Sequence, residues 1–404
     1  MKRNARIALI LLSLSLLTTT GCWSQRELNH LSIIGGIGID FQDGRYHIST
    51  QIINPVQVAQ TRGGGTSGTP VSVFSKSGNT ILEAFQNMML IIPREAFFAH
   101  VRLVVIGEAL AREEGITKLL DILSRNYEMR TDFYVLVAKE SSAEEVLKIQ
   151  TSQENVPAMH TYFSLQIADK NLALTNAVQL DQLIEDLVSG GKHPVLPGIR
   201  IHGSPAMGNS SKNIETIESA VTLELEEMAA FQNGKLIGWL DGMETKGYNF
   251  ITNHLFSTIT DIGCPENETD RISIQLLRSN TNISSHFEHH QPTFQIDVQA
   301  EGSVTEVNCA LDLNQAETIY ELEVRSEQKF KSMMEQILKK AQEEWETDLF
   351  GFGDVLYRKH PDQWERMKED WDHQFAQSPI NIAVNVELRR TDSIHNSYIQ
   401  EIKE

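Results

Sequence analysis

The sequence lacks the motifs that support the best-known enzyme chemistries. It contains no Gly-x-x-x-x-Gly-Lys-Ser/Thr phosphate loop, no Gly-x-Ser-x-Gly elbow, no His-Glu-x-x-His motif and no Cys-x-x-Cys pair. An enzymatic function therefore has no positive support in the sequence. We expect a protein with no catalytic residues and no metal site, acting by contact with other molecules.

Cysteine is scarce, with only three residues in a chain of 404. This number excludes a disulfide framework. Cys264 and Cys309 can pair outside the cytosol, but we expect two unrelated and largely unreactive thiols. They lie in separate segments of the second half, and a core of this size needs no covalent link.

Basic residues are outnumbered, 35 against 54 acidic ones, which gives a net charge of −19. A body this acidic argues against nucleic acid as a partner. It also repels anionic lipid headgroups, so the folded part should not lie flat on a membrane. After residue 21 no long apolar run follows, and clusters such as Val101–Ile106 have the length of strands.

The first 22 residues have the pattern of a bacterial lipoprotein signal. A cationic start precedes the apolar run Ile7–Leu17, which is short of the roughly 18 residues that span a bilayer, and small residues lead to Cys22. We expect a diacylglyceryl group on Cys22, whose two acyl chains give stable attachment, and no other cofactor. Thr19 departs from the usual aliphatic residue. The alternative is an ordinary secretory signal with an incidental cysteine.

The mature chain alternates strand-like and helix-like segments and then becomes less regular. Asp43-Gly44 and Asn233-Gly234 predict hairpin turns. Amphipathic patterns predict helices over residues 172–189 and 314–346. We expect a multi-domain α+β protein. Its N-terminal region, with an α/β pattern, a mixed sheet and helices, covers 22–202, and a split near 60–70 is left open. A C-terminal α+β domain, with long helices on an antiparallel sheet, covers 213–404.

Four weaker patterns have structural interpretations that we favour over functional ones. We interpret the glycines of Gly35-Gly36-Ile37-Gly38 as a bulge or close strand packing, and the histidines His286, His289 and His290 as part of a solvated loop. We interpret the acidic residues Glu343, Glu344, Glu346 and Asp348 as a solvated helix face. The tryptophans Trp345, Trp364 and Trp371 are interpreted as core packing.

Several blocks together resemble the Ger(x)C family of spore germination lipoproteins. The most characteristic is Gly-Cys-Trp-x-x-x-Glu-Leu-Asn at residues 21–29, followed by Leu31–Asp40 and Gln51–Pro55. Further blocks at His100–Ala111, Arg130–Glu140, Pro194–Pro197 and Phe231–Leu240 occur in the same order as in the family. The resemblance covers nearly the whole mature chain.

The resemblance implies the C subunit of a nutrient germinant receptor on the outer face of the inner spore membrane. Its partners would be an A-type membrane subunit and a multi-pass B-type subunit. Only Cys22 carries a defined chemical role. Because they lie next to the lipid, Trp23, Arg26, Glu27 and Asn29 are candidate partner contacts. The alternative is an extracytoplasmic solute-binding lipoprotein that delivers a nutrient to a transporter, which predicts two similar lobes around a cleft.

Overall fold

The computed structural model describes Asn4 and residues 30–60, 68–125 and 128–389. Within these ranges the strands form one nine-stranded and one four-stranded sheet. The strands are β1 (Leu31–Gln42), β2 (Arg45–Ile53), β3 (Val71–Gly78), β4 (Glu95–Phe97), β5 (Leu103–Gly107), β6 (Tyr134–Lys139), β7 (Val195–His202), β8 (Thr222–Gln232), β9 (Lys235–Leu240), β10 (Thr258–Gly263), β11 (Arg271–Glu288), β12 (Gln291–Val307) and β13 (Ile380–Arg389).

The helices surround both sheets. They are α1 (Pro55–Gln60), α2 (Ile81–Met89), α3 (Glu108–Glu113), α4 (Thr117–Arg125), α5 (Ala143–Lys148), α6 (Pro157–Asn171), α7 (Leu180–Val188), α8 (Pro205–Gly208), α9 (Lys212–Glu215), α10 (Gly242–Ile251), α11 (Ala316–Lys339), α12 (Phe352–Lys359), α13 (Pro361–Met367) and α14 (Trp371–Gln377). A π-helical turn over Lys340–Glu344 continues α11. No helix among the described residues is long and apolar enough to cross a membrane.

The first sheet has the order β3-β2-β1-β5-β6-β7-β8-β9, and β4 also pairs with the start of β1. Its centre, from β1 through β5 and β6 to β7, is parallel, and antiparallel hairpins flank it on both sides. The turns Asp43-Gly44 and Asn233-Gly234 have the positive φ angles that such hairpins need, as predicted. The hairpin β8–β9 follows the 203–212 stretch, so this sheet continues past the boundary placed there.

Helices cover both faces of the first sheet. One face packs against α2, α3, α4 and α7, and the other against α5 and α6. Two glycines of β1 allow the second layer to approach closely. A Cβ at Gly36 would lie 3.0 Å from the Cβ of Ala158, and one at Gly38 would lie 3.1 Å from the backbone of Ala143. The Gly-rich pattern of β1 is therefore close packing, as expected, and not a phosphate loop.

The second sheet has the order β10-β11-β12-β13, antiparallel except for the parallel pair β12/β13. The helices α10 and α11 pack together above it and share a core of large apolar side chains. Phe250 and Phe330 are fully buried there, with their ring centroids 5.0 Å apart. The mixed α+β architecture with long helices on a largely antiparallel sheet agrees with the predicted fold class.

Two sequence predictions about this architecture are wrong. Cys264 and Cys309 form a disulfide, because β11 pairs with both β10 and β12 and so brings residues 45 apart in sequence together. The helix predicted over 172–189 starts only at Leu180, after the non-helical residues 172–179, and the separate helix α6, which ends at Asn171, was not predicted. Exposed Phe163 and Ile167 and buried Leu165 leave α6 without the one-sided apolar stripe that marks a helix.

Candidate functional site

The molecule has two halves, one built on the nine-stranded sheet and one on the four-stranded sheet. A polar junction links these two halves. It consists of residues 186–193, which run from the last turn of α7 toward β7, and of residues 348–354, which lead into α12 and pack against them. We call these two segments the junction. Glycine makes this approach possible. A Cβ on Gly191 would lie 2.7 Å from the backbone nitrogen of Asp354. Any side chain at Gly191 would therefore push the two segments apart.

The carboxylate of Asp348 organises the second segment of the junction. It accepts hydrogen bonds from the backbone N–H groups of Phe350, Gly351 and Gly353, each at 2.9 Å, and from Trp371 Nε1 at 3.0 Å. Burial raises the pKa of Asp348 to about 6, although these four hydrogen bonds act in the opposite direction. The group thus fixes the loop to α14 from inside the protein.

Backbone and side-chain contacts link the two segments of the junction directly. The N–H of His193 donates to the backbone oxygen of Asp348 at 2.8 Å. The ring of His193 also lies against Asp372 of α14, with Nε2 3.1 Å from Oδ1. Gln232, at the end of β8, donates to the same carboxylate at 3.3 Å. The first sheet is therefore held to α14 through several polar contacts.

Lys192 is the central cation of the junction. Its Nζ lies 3.0 Å from both carboxylate oxygens of Asp186, and both side chains are largely buried. Burial by itself lowers the pKa of Lys192, but the negative charges of nearby acidic groups, including Asp186 and Asp354, outweigh it and raise the pKa above its ordinary value. Burial raises the pKa of both of these aspartates. Lys192 therefore remains charged at neutral pH.

Two clefts open on either side of Lys192. The first, of about 740 Å³, lies between α7 and residues of α10, β11 and α12, and Asp354 and Arg358 line its second wall. The second, of about 730 Å³, lies between His193 and the chain around Trp345 and Trp371. Since the charged groups of the junction are already paired with each other, this arrangement favours holding the halves together or binding a polar partner.

One group in the described part of the chain has the spacing of metal ligands. His202, Glu224 and Glu226 offer atoms that lie within 4.8 Å of one another at the end of β7 and start of β8. Arg200 donates to Glu226 at 3.3 Å, so a cation there would meet a competing positive charge. We interpret the group as cross-strand ion pairing.

The comparisons with known proteins agree along the full chain. The family described as spore germination protein N-terminal domain matches residues 24–201, and the family described as spore germination B3/GerAC like, C-terminal matches residues 226–392. The chain is 31% identical to spore germination protein KC of Bacillus subtilis (strain 168), over 100% of both chains. The chain belongs to the GerAC family of spore germination proteins. This confirms the resemblance to the Ger(x)C family.

Other proteins resemble this GerAC-family chain over most of its length. Spore germination protein B3 of Bacillus subtilis (strain 168) is 24% identical over 92% of this chain and 94% of its own. The crystal structure of the GerBC protein has a TM-score of 0.56 at 17% identity and covers 87% of this chain and 96% of that one. This structural likeness confirms the predicted mixed, multi-domain fold class.

The residues predicted to carry the function of this GerAC-family chain lie outside the described residues. They are Cys22, Trp23, Arg26, Glu27 and Asn29. Their roles therefore stay predictions.

The structural interpretations of the weaker patterns are confirmed for most of their residues. The histidines His286, His289 and His290 are exposed, as predicted, although His286 belongs to β11 and only His289 and His290 form the turn to β12. Trp364 and Trp371 are buried in the core, and Trp345 is partly buried and packs against it. Glu343, Glu344 and Glu346 are exposed, as predicted, but Asp348 is fully buried, because α11 and its π-helical turn end before it.

Lys192 and Asp348 were not predicted to belong to one cluster. Their neighbours gave the only local signal. Gly190-Gly191 directly follows the helix predicted over 172–189, and Gly351 and Gly353 follow Asp348 at the spacing its carboxylate needs to accept their N–H groups.

Proposed function

We propose that the chain is the lipid-anchored C subunit of a spore nutrient germinant receptor. A diacylglyceryl group on Cys22 holds it to the extracytoplasmic face of the inner spore membrane. It acts there without turnover, by contact with membrane-embedded A-type and B-type subunits. The observation that carries this proposal is the likeness to spore germination protein KC over the full length of both chains.

The disulfide Cys264–Cys309 supports a location outside the cytosol. Disulfides persist in oxidising compartments and are rare where thiol reductants keep cysteines reduced. A chain that carries one is therefore compatible with export by the signal before Cys22. The tether then keeps the folded body at high effective concentration beside its membrane partners.

Complementation of spores that lack this gene tests the anchor and the partner contacts separately. Cys22→Ala should abolish lipid labelling, release the protein from the membrane fraction and remove the response to nutrient. The double charge reversal Arg26→Glu/Glu27→Lys should leave lipidation intact but reduce both germination and co-purification with the A-type and B-type subunits.

A matched double reversal controls for the change of charge itself. Asp121→Lys/Arg125→Asp inverts an exposed ion pair on α4, where Arg125 Nε lies 2.9 Å from Asp121 Oδ2. This variant should germinate normally. Full germination by Cys22→Ala spores, with the protein still bound to the membrane, would refute the anchor.

The first cleft favours a second candidate, a solute-binding lipoprotein. Its mixed charges, including Lys192, Asp354 and Arg358, suit a small zwitterion. The two halves differ, however, since one holds a nine-stranded and the other a four-stranded sheet. A solute-binding protein would have two similar lobes around the cleft, and these two halves are not similar. The receptor subunit therefore remains the leading function.

A further inference from the structure

The first observation concerns the end of the first sheet at which β1 begins. The strand β4 runs parallel to β1, with Leu31 opposite Glu95. Residues that precede Glu95 therefore lie at the same end of the sheet as the chain that arrives from Cys22. The end of β2 lies there too, since Ile33 pairs with Ile53. We call this the anchor end of the sheet.

An exposed apolar loop occupies the anchor end. Leu90 is 83% exposed, and Met89 and Ile91 beside it are exposed as well. The loop is folded, because the N–H groups of Ile91 and Ile92 donate to the backbone oxygen of Met88 at 3.0 and 3.2 Å. These apolar side chains are thus held in solvent by a defined turn. A cluster of this kind, in a protein otherwise so acidic, points to a surface that something covers.

The α2 helix and the strand after the loop brace it from both sides. Phe85 of α2 and Phe98, which follows β4, make an edge-on ring contact with centroids 6.0 Å apart. Ile92 is buried beneath the loop. The apolar tip is therefore supported by packed side chains on both sides. Val56, just past the end of β2, is exposed at the same end.

The length of chain between Cys22 and His30 limits what can cover the loop. An extended chain advances about 3.3–3.6 Å per residue, so this segment spans at most about 30 Å. With Cys22 acylated, as the proposed function holds, the anchor end cannot move farther than this from the bilayer. The tether therefore keeps the loop close to the bilayer, and the bilayer is the apolar surface that the loop contacts most often.

We propose that the loop Met89–Ile91 inserts into the interfacial zone of the bilayer as a second, non-covalent membrane contact. This inference rests on the proposed anchor at Cys22. Leu90 and its neighbours supply the apolar surface, and exposed Arg94 stands beside them to meet anionic headgroups. One rim of the first sheet touches the membrane, while the acidic remainder of the body stays away from it. The contact fixes the orientation of the body toward its membrane partners.

Depth-dependent fluorescence quenching on the full lipidated chain tests this proposal. Leu90→Cys would be labelled with an environment-sensitive fluorophore, since Cys22 is acylated and Cys264 and Cys309 are bonded to each other. The protein would be reconstituted into phosphatidylethanolamine/phosphatidylglycerol vesicles that carry doxyl-labelled phospholipid. Quenching of the Leu90 label should be several-fold stronger than at a distant exposed site.

Two control sites are available on exposed apolar residues. Ile217 lies between β7 and β8, whose residues His202 and Thr222 pair at the opposite end of the sheet. Its label should not be quenched by the doxyl lipid. Leu82, in the first turn of α2 and one helix length away from the loop, should give an intermediate value.

The outcomes separate this inference from the proposed function. If the protein does not float with the vesicles, the anchor at Cys22 fails and the inference fails with it. If the protein floats but the Leu90 label is quenched no more than the Ile217 label, the inference alone is overturned. A Leu90 label that is shielded from aqueous iodide without doxyl quenching would assign the loop to a second copy of the chain instead, and would also overturn it.

Discussion

Asp348 is an ionisable group at a place that water does not reach. Its side chain is fully buried and surrounded by four N–H donors, three from the backbone and one from Trp371. These donors favour the ionised form, whereas burial disfavours it more strongly. The residue therefore stabilises the loop through its hydrogen bonds at a cost that depends on pH.

The sign of this dependence gives the first prediction. The folded pKa of about 6 lies above the ordinary 3.8, so the contribution of Asp348 to stability is complete below pH 4 and declines as pH rises through 6. The decline amounts to about 3 kcal/mol. Asp348→Asn abolishes it and leaves N–H donors facing an NH₂ group. In urea unfolding, the variant should lose more stability at pH 4.5 than at pH 7.5.

An exposed aspartate provides the control for the pH series. The pKa of Asp121 is lowered by its pairing with Arg125, so Asp121→Asn should show a small effect that grows, not shrinks, with rising pH. A loss at Asp348→Asn that is larger at pH 7.5 than at pH 4.5 would contradict the assignment of burial as the dominant cause.

Asp348 was predicted to lie on a solvated helix face, but it is fully buried. The pattern predicts a helix over 314–346, and the acidic run from Glu343 to Asp348 at its end is of a kind that usually faces solvent. Nothing local shows that the chain leaves the helix after Glu344 and turns into the core. The prediction for Cys22, by contrast, rests on a linear signal that needs no knowledge of the fold.

At the scale of elements, the long hairpin β11–β12 determines the disulfide. Its strands of 18 and 17 residues carry the chain away from β10 and back again. Cys264, just after β10, and Cys309, just after β12, therefore come together beside the start of β11. In the sequence, apolar and polar residues alternate clearly only over 272–277 and 293–298, which are short parts of these strands. Their irregular registers at Ser273/Ile274 and Leu276/Arg278 interrupt the alternation that would have revealed the rest.

We expect the disulfide to contribute to stability. Closing a loop of 45 residues restricts the unfolded chain by up to about 4 kcal/mol. The double variant Cys264→Ala/Cys309→Ala should lose about 2–4 kcal/mol of unfolding free energy. Adding reductant to the wild type should produce a similar loss and leave the double variant unchanged. Equal stability of oxidised and reduced wild type would show that the bond is dispensable.

The edge strand β13 is protected by α11. Glu327 accepts a hydrogen bond from the N–H of Val386 at 3.1 Å, and Glu323 accepts one from the N–H of Leu388 at 2.9 Å. An unprotected edge of this kind can pair with another chain. Side chains of α11 therefore satisfy backbone N–H groups of the edge strand β13.

Removing both acceptors should expose that edge. Glu323→Ala/Glu327→Ala should cost about 1–3 kcal/mol for each donor left unsatisfied, speed hydrogen exchange at Val386 and Leu388, and increase self-association in light scattering. Glu323→Gln/Glu327→Gln keeps an acceptor at each position and should behave nearly as the wild type. Glu317→Ala, an exposed change at the start of the same helix, controls for helix effects. Unchanged exchange rates in the alanine variant would argue against the protection.

For the whole molecule, the junction is one of the contacts that join two dissimilar halves, beside an apolar core that Val195, Met228 and Ala230 of the first sheet share with the second half. The sequence predicted the fold class and most elements, because turns, capping boxes and apolar strands are local signals. The sequences Thr80-x-x-Glu83 and Ser142-x-x-Glu145, for example, are typical of helix starts, and Thr80 and Ser142 cap α2 and α5. The meeting of Lys192 with the loop after Asp348 was not predictable, since it depends on contacts between segments more than 150 residues apart that carry no shared pattern.

We expect the clefts beside Lys192 to bind no nutrient tightly. The cation is already neutralised by Asp186, and a ligand would have to displace that pair. Calorimetry of the protein against amino acids, sugars and nucleosides should show no binding at micromolar or lower concentrations. Tight binding of any one of them, lost in Lys192→Met, would assign the chain to the solute-binding class.

The hairpin β8–β9 has a consequence for chimeric subunits assembled from two related genes. A crossover in the 203–212 stretch would take β7 from one parent and β8 from the other, although Val195 and Ala230 face each other within one sheet. Side chains selected together would then be separated, and the hybrids should misfold. A crossover just after Leu240 keeps the sheet with a single parent. Natural exchange of segments among these genes should accordingly leave its breakpoints after this residue.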